Sequence, residues 1–262
     1  MTFTVPENRL PLLINDAVVG SVKPDDAAWL VSALADVHTL SLNPSKSALC
    51  LRGSHHEINA VLNAMAVALR DAGRMKAWRN EKLAVCDAAG TQQGEIERAA
   101  VRVLGITSTA VHVVGMVKDS EDKTDKVWLQ HRAANKSTGA GLWDTLAGGL
   151  VPAGESLEQG AYREAQEEAG LLPHHLQSLR YLGYDVVEKN VKDGFMREIS
   201  HTYLAILRND YVPQNHDGEV QGFALLSWAN VKARMAAGLV TEEAILSLDR
   251  GYADIFSKSP IA

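Results

Sequence analysis

Cysteine is scarce in this sequence, since Cys50 and Cys86 are the only two among 262 residues. Two cysteines cannot build the framework of several disulfides that stabilises many small secreted domains. Their spacing also fails to match the paired ligands of a structural zinc site. We therefore expect two ordinary buried thiols, and neither a disulfide scaffold nor a zinc centre.

Long apolar runs are absent as well. No stretch approaches the roughly 20 consecutive apolar residues that a membrane-spanning helix needs. The first 15 residues, MTFTVPENRLPLLIN, have no basic segment ahead of their short apolar stretch, so they do not resemble a signal peptide. These absences predict a cytoplasmic protein with no membrane partner.

An excess of basic charge is also missing, because the formal net charge is −6 at pH 7. Nucleic-acid-binding domains usually carry a basic face, so we expect no nucleic-acid partner. The negative charge does not exclude a small anionic substrate, because a bound divalent cation reverses the local field whatever the net charge of the chain.

The pattern of strands and helices changes near residue 105. The first 105 residues indicate a small α+β domain, with strands at 9–15, 48–51 and 82–87 and helices at 25–37, 57–72 and 95–104. In the part from 106 to 262, strands are predicted at 109–117, 126–132, 179–187, 199–207 and 223–228, and helices at 157–169, 229–237 and 241–256. This order predicts an α/β domain with a mixed sheet between helical layers.

The predicted helix 157–169 has clear start and stop signals. Ser156 suits the N-cap position, and Gln159 follows three residues later, as in a capping box. Gly170 suits the left-handed position that ends a helix, and Pro173 follows soon after. These local signals fix the helix to about a residue at each end.

An acidic face distinguishes this helix. Glu164, Glu167 and Glu168 fall at i, i+3 and i+4, within an arc of about 100°. A different face carries the side chains that we expect to pack against the sheet, namely Tyr162, Ala165 and Ala169. Like charges at this spacing destabilise a helix by a few tenths of a kcal/mol per pair. Two explanations fit the clustering: a hard divalent cation, because Mg²⁺ prefers carboxylate oxygens, or a solvated acidic surface.

The residues around the helix match a known pattern: a glycine, five residues, a glutamate, seven residues, and then Arg-Glu-apolar-x-Glu-Glu-x-Gly-apolar. The fixed positions are filled by Gly149, Glu155, Arg163, Glu164, Ala165, Glu167, Glu168, Gly170 and Leu171. The segment 148–171 therefore resembles the signature of Nudix hydrolases. The resemblance implies an α/β/α sandwich around a mixed sheet over residues 106–262, preceded here by the small α+β domain of residues 1–105.

The resemblance also implies a reaction, the Mg²⁺- or Mn²⁺-dependent hydrolysis of a diphosphate linkage in a small molecule. The metal ligands would be the carbonyl of Gly148 and the carboxylates of Glu164, Glu167 and Glu168. Arg163 would pair with Glu155 and so orient the ligands. The expected catalytic residues are Glu168, Glu167, Arg163 and Glu219.

The general base has two candidates in this interpretation. One is Glu168 on the helix, and the other is Glu219, in the turn-forming stretch NHDGEV. Asp-Gly favours a tight turn before a strand. The alternative for Glu219 is an ordinary exposed carboxylate in a turn.

Three residues before the signature are candidate substrate contacts. Arg132 and Lys136 follow a predicted strand and offer cations to a phosphate, with exposed loop charges as the alternative. Trp143 offers a ring on which a base or heteroaromatic group stacks, with core packing as the alternative.

A second resemblance concerns both halves of the chain. The segments MKAWRNEKLAVCD, GLWDTLAGGLVPAGES and NHDGEVQGFALLSW resemble a Nudix subgroup with a small N-terminal domain. This subgroup is related to Nudix domains fused to thiamin pyrophosphokinase. The resemblance implies oxo or oxy forms of thiamin diphosphate as substrates, with a monophosphate as product. We expect the N-terminal domain to shape the substrate pocket or a homodimer interface, or to serve packing alone.

Other functions remain as alternatives. Isopentenyl diphosphate isomerases share the Nudix fold, but they need a cysteine beside the allyl group, and both cysteines lie before residue 106. Non-catalytic Nudix ligand sensors usually lose acidic residues of the signature, which this chain keeps. Among hydrolases, pyrophosphatases acting on ADP-ribose and similar nucleoside diphosphate derivatives stay open.

Overall fold

The structure is a computed structural model that describes residues 3–45, 47–75, 78–118, 125–134, 138–216 and 218–256. The chain forms two compact units. The first consists of Met1–Ser108, Pro152–Gly154 and Val187–Glu198, and the second of Thr109–Val151, Glu155–Val186 and Ile199–Ala262. Two later segments thus belong to the unit built mainly by the first 108 residues. The domain boundary at 105/106 stays a prediction.

The first unit contains a four-stranded sheet in the order β2-β1-β4-β3. Its strands are β1 (Leu10–Ile14), β2 (Ala17–Val22), β3 (Leu40–Leu42) and β4 (Leu49–Leu51). The antiparallel β1–β2 pair turns through Asn15 and Asp16, which both have positive φ, as a two-residue type I′ turn requires. The helices are α1 (Pro24–Ala33) and α2 (His55–Asp71), and α2 begins with a capping box of Ser54 and Glu57.

A hairpin also belongs to this unit. It consists of β5 (Lys82–Cys86) and β6 (Gln92–Glu97). The helix predicted over 95–104 is wrong, since this segment finishes β6 and continues as a 3-10 turn over Arg98–Ala100. The reason is pairing with a distant strand: Leu83 lies opposite Ile96, and both side chains are buried. Such tertiary contacts override local helix propensity.

The sequence interpretation also missed β2 and β3. In β2, Gly20 interrupts the strand pattern of AVVGSV. A Cβ at Gly20 would lie 2.6 Å from the carbonyl oxygen of Leu104, so the backbone approaches here too closely for any side chain.

Most residues of the second unit's strands belong to a seven-stranded mixed sheet with the order β11-β12-β7-β8-β13, in which β10 pairs with β7 and β9 with β8. The strands are β7 (Thr107–Val117), β8 (Lys126–Arg132), β9 (Trp143–Asp144), β10 (Ala147–Leu150), β11 (Leu176–Val191), β12 (Gly194–Leu207) and β13 (Val220–Ser227). The helices are α3 (Leu157–Ala169), α4 (Trp228–Ala236) and α5 (Glu242–Phe256).

Helices cover both faces of this sheet. Val111 and Val113 of β7 share a buried cluster with the alanines of α3. Val114, the next residue of the strand, lies in a second cluster with Val231 of α4 and Leu248 of α5. Side chains alternate between the two faces of a strand, so each face has its own apolar layer. The predicted α/β sandwich with a mixed sheet is confirmed. No helix among the described residues is long and apolar enough to cross a membrane.

Candidate active site

Helix α3 carries the acidic residues, and its ends are those that the sequence predicts. The Ser156 hydroxyl accepts the N–H of Gln159 at 3.2 Å, and the Gln159 side chain accepts the N–H of Ser156 at 2.9 Å. Gly170 ends the helix with φ +65°. The prediction that Tyr162 packs against the sheet is wrong, since Tyr162 is 36% exposed and Ala161 is buried instead.

The three glutamates of α3 differ sharply in burial. Glu168 is 2% exposed and Glu164 9%, whereas the side chain of Glu167 is 51% exposed. Glu164 and Glu168, one helical turn apart, therefore face the protein interior. These two residues therefore do not belong to a solvated acidic surface. Each buried carboxylate needs hydrogen bonds or an opposite charge to offset the loss of its hydration.

Arg163 offsets the negative charge of the buried Glu164. Its guanidinium donates to Glu155 at 3.0 Å, to Glu164 at 2.7 Å and to Glu167 at 3.1 Å. It also donates to the backbone carbonyl of Leu150 at 3.0 Å. Burial alone would lower the pKa of Arg163, but the hydrogen bonds and charges of Glu155 and Glu164 outweigh burial and raise the pKa above its ordinary value. The arginine thus stays charged and links α3 to the loop before it.

Two glycines of β10 bring the backbone of this strand against the acidic residues. In the β7–β10 pair, Gly148 lies opposite His112 and Gly149 opposite Val111. A Cβ at Gly149 would lie 2.3 Å from an oxygen of Glu164. A Cβ at Gly148 would lie 2.9 Å from the His112 ring and 3.0 Å from the Val111 carbonyl oxygen. Only glycine permits so close an approach of backbone and carboxylate.

One carboxylate oxygen of Glu168 accepts two hydrogen bonds from neutral donors. Its Oε2 accepts the backbone N–H of Gly148 at 2.9 Å and the side-chain amide of Gln130 at 2.8 Å. Gln130 lies on β8 and is 1% exposed. The sequence interpretation missed this residue. The alternation of side chains along KVWLQHR does not say which element each face of the strand meets.

Arg132 is mostly buried beside the loop, not exposed. Its guanidinium donates to Asp144 at 2.8 Å and to the carbonyl of Thr138 at 3.1 Å. Asp144 is 4% exposed and lies 3.8 Å from the ring of His112. Burial lowers the pKa of His112, and the charge of Asp144 opposes this shift. Arg132 therefore braces the segment before β10, and a contact of Arg132 with substrate phosphate stays a prediction.

Trp143 is the second predicted substrate contact that the structure describes. Trp143 stacks on His131 at 4.8 Å between ring centroids, and the guanidinium of Arg234 lies 5.3 Å from its ring. This environment, next to the α4–α5 cluster, supports the packing alternative. Lys136 lies outside the described residues. Glu219 is exposed, just before β13, and its carbonyl accepts the N–H of Ala133 at 3.0 Å.

The donor chemistry at α3 suits a hard divalent cation. Within the described ranges, no three His, Cys, Asp or Glu side chains converge as a metal-binding cluster. Glu167 nevertheless is bound to Arg163 by an exposed ion pair, and such pairs contribute at most about 1 kcal/mol. Exchanging this partner for a cation therefore requires little energy. Carboxylate and carbonyl oxygens beside a glycine loop are the ligands that Mg²⁺ and Mn²⁺ prefer.

Comparisons with known proteins identify a family and several relatives. The family model of the NUDIX domain matches residues 108–244. Nudix hydrolase 20, chloroplastic, of Arabidopsis thaliana is 28% identical over 235 residues, which cover 85% of this chain and 61% of that protein. Nudix hydrolase 24, chloroplastic, of the same plant is 34% identical over 139 residues, 52% of this chain and 37% of that protein. The chain thus spans less than two thirds of either relative. A crystallised protein of Deinococcus radiodurans is 25% identical to this chain, with a TM-score of 0.48. The structural match includes 64% of this chain and 98% of that protein's chain.

Replacing Arg163 by alanine tests the bracing network. Arg163→Ala leaves the buried Glu164 without its guanidinium partner, so we expect the free energy of unfolding to fall by about 1–3 kcal/mol. Urea unfolding followed by circular dichroism measures this. Arg208→Ala is the matched control, because Arg208 forms an exposed pair with Asp210 and should leave stability unchanged within error. Equal stability of the two variants would leave Arg163 an ordinary surface arginine.

Proposed function

We propose, because this chain belongs to the NUDIX domain family, that it hydrolyses a diphosphate linkage of a small molecule with the help of Mg²⁺ or Mn²⁺. The observation that carries the proposal is the pair of buried carboxylates, Glu164 and Glu168, which lie against the two glycines of β10. A merely structural helix face gains nothing from burying two like charges one turn apart.

Four groups would hold the cation: the carboxylates of Glu164, Glu167 and Glu168 and the carbonyl of Gly148. When bound, a divalent cation offsets the phosphate charge and makes water a better nucleophile. Arg163 holds Glu164 and Glu155 in place through charged hydrogen bonds. Gln130 and the Gly148 amide both donate hydrogen bonds to one oxygen of Glu168.

The general base is Glu168 or Glu219 in this proposal. Glu168 belongs to the carboxylate group of α3, whereas Glu219 is exposed at the start of β13, next to the strand that carries Gln130. The retention of Glu164, Glu167 and Glu168 supports turnover over a sensor that merely binds its ligand. Phosphoryl transfer depends mainly on positioning and charge, which these residues supply.

For the substrate we propose oxidised or deaminated thiamin diphosphate, hydrolysed to a monophosphate and orthophosphate. Support comes from the similarity of the segments 75–87, 141–156 and 215–228 to Nudix proteins related to thiamin pyrophosphokinase fusions. The alignment with Nudix hydrolase 20 also extends beyond the NUDIX match into the first 107 residues. A homodimer and a cytoplasmic location stay predictions.

Removal of divalent metal should abolish activity. Because three carboxylates and a carbonyl are the proposed cation ligands, protein treated with EDTA and then desalted should lose turnover of the diphosphate substrate. Added Mg²⁺ or Mn²⁺ should restore it. Phosphate release, measured with a colorimetric assay, is the readout, and circular dichroism before and after treatment controls for unfolding. Full turnover in metal-free buffer would contradict the metal assignment.

Glu168→Gln should separate catalysis from stability. The structure places Glu168 in a buried position, not the exposed one that the sequence suggests for an acidic helix face. The amide oxygen of glutamine can still accept from Gln130 and Gly148, so stability should change by no more than about 1 kcal/mol. Loss of the charge should lower kcat at least about 100-fold.

The matched control is Glu158→Gln, the same chemical change at an exposed position of the same helix. It should keep wild-type kcat. Steady-state kinetics on both variants and the wild type decides the matter. A Glu168→Gln protein that turns over normally would remove Glu168 from the catalytic residues.

The substrate proposal is tested by comparing kcat/KM for oxythiamin diphosphate, oxothiamin diphosphate, thiamin diphosphate and ADP-ribose under one set of conditions. We expect the two altered thiamin compounds to exceed intact thiamin diphosphate, because a site built to hydrogen-bond a changed ring group rejects the normal ring. If kcat/KM for ADP-ribose exceeds the values for both altered thiamin compounds by about tenfold, the difference in transition-state binding is about 1.4 kcal/mol. That result would contradict the thiamin proposal but not the hydrolysis of a diphosphate.

A further inference from the structure

Gln130 is a buried amide that the proposed chemistry does not use directly. It lies in the middle of β8 and is 1% exposed. Its backbone is fixed from both sides, since it lies opposite Phe223 of β13 and opposite Asp144 of β9. A side chain on such a doubly paired strand is held more rigidly than one on a loop. Its amide therefore reaches α3 from a fixed point.

The target of this amide is one oxygen of Glu168. Nε2 of Gln130 donates to Oε2 at 2.8 Å, and the backbone N–H of Gly148 donates to the same oxygen at 2.9 Å. One donor comes from β8 and the other from β10, so the carboxylate is held between two strands. A carboxylate with two donors on one oxygen cannot rotate without breaking both hydrogen bonds.

The same hydrogen bonds also stabilise the negative charge of Glu168. Glu168 lies one turn after Glu164, whose charge is compensated by Arg163, at 2.7 Å. The Gln130 amide stabilises the buried carboxylate without itself adding a positive charge, whereas an arginine or lysine at position 130 would add one beside the proposed cation.

We propose that Gln130 is a positioning residue, which orients the carboxylate of Glu168 for a divalent cation. This rests on the proposed function, because the cation is the one that the hydrolase would use. Partners of this kind around metal ligands typically change metal affinity by about 10–100-fold when they are removed.

The test uses Mn²⁺ alone as the probe, with binding followed by electron paramagnetic resonance of the free ion. Gln130→Met keeps the length of the side chain and removes the donor. We expect this variant to bind Mn²⁺ at least about tenfold more weakly than the wild type. Its activity at low Mn²⁺ should be reduced and should recover as Mn²⁺ is raised, which a merely destabilised fold would not show.

Thr202→Val is the matched control. Thr202 donates to Ser247 at 3.0 Å, and both residues are buried between β12 and α5. This variant also loses one buried hydrogen bond in the same unit, but it should bind Mn²⁺ like the wild type. Gln130→Asn, which withdraws the amide by one methylene, serves as a second variant if Gln130→Met does not fold, with the same expected weakening.

The outcomes separate the two proposals. If the wild type binds Mn²⁺ and a folded Gln130 variant binds it equally well, the positioning role is overturned while the metal site stands. If Thr202→Val weakens binding as much as Gln130→Met, the effect is a general loss of stability and the positioning role is again overturned. If the wild type binds no Mn²⁺, the metal-dependent function itself fails.

Discussion

Two carboxylates buried one turn apart on α3, Glu164 and Glu168, are the constraint on which the site depends. A buried charge without a partner is far too costly to persist, and two like charges repel as well. The fold therefore brings a separate partner to each. Arg163 reaches Glu164 from the same helix, and Gln130 reaches Glu168 from β8. Satisfying these charges joins the helix to the sheet and to the loop before it.

The backbone of β10, the strand before α3, follows from the same constraint. It must pass within van der Waals distance of the Glu164 carboxylate and must present the Gly148 N–H to Glu168. Glycine alone allows both, since a Cβ at either position would meet neighbouring atoms. The carbonyl of Leu150 accepts a hydrogen bond from Arg163, which also links β10 to α3. The spacing between the glycines and the glutamates in the sequence thus reflects one packed arrangement.

Local signals made α3 predictable to the residue, because capping by Ser156 and Gly170 depends on a few neighbouring residues. The shared face of the glutamates follows from helical geometry alone. Which of them is buried does not, since the rotation of α3 on the sheet depends on packing, and Ala161 rather than Tyr162 faces inward. The helix predicted over 95–104 failed for a similar reason, because pairing with β5 is not visible locally.

The three glutamates of α3 have different kinds of partner. The kind of partner determines how easily each carboxylate could exchange it for a cation. Two neutral donors bind one oxygen of the buried Glu168, and Arg163 donates to Glu164 a charged hydrogen bond that is mostly shielded from water. Glu167 has an exposed ion pair, which solvent screens. An arriving cation would therefore find two carboxylates already in place and would need to reorganise mainly the third. Such an arrangement keeps the loss of entropy on binding small, because most of the ordering has occurred during folding.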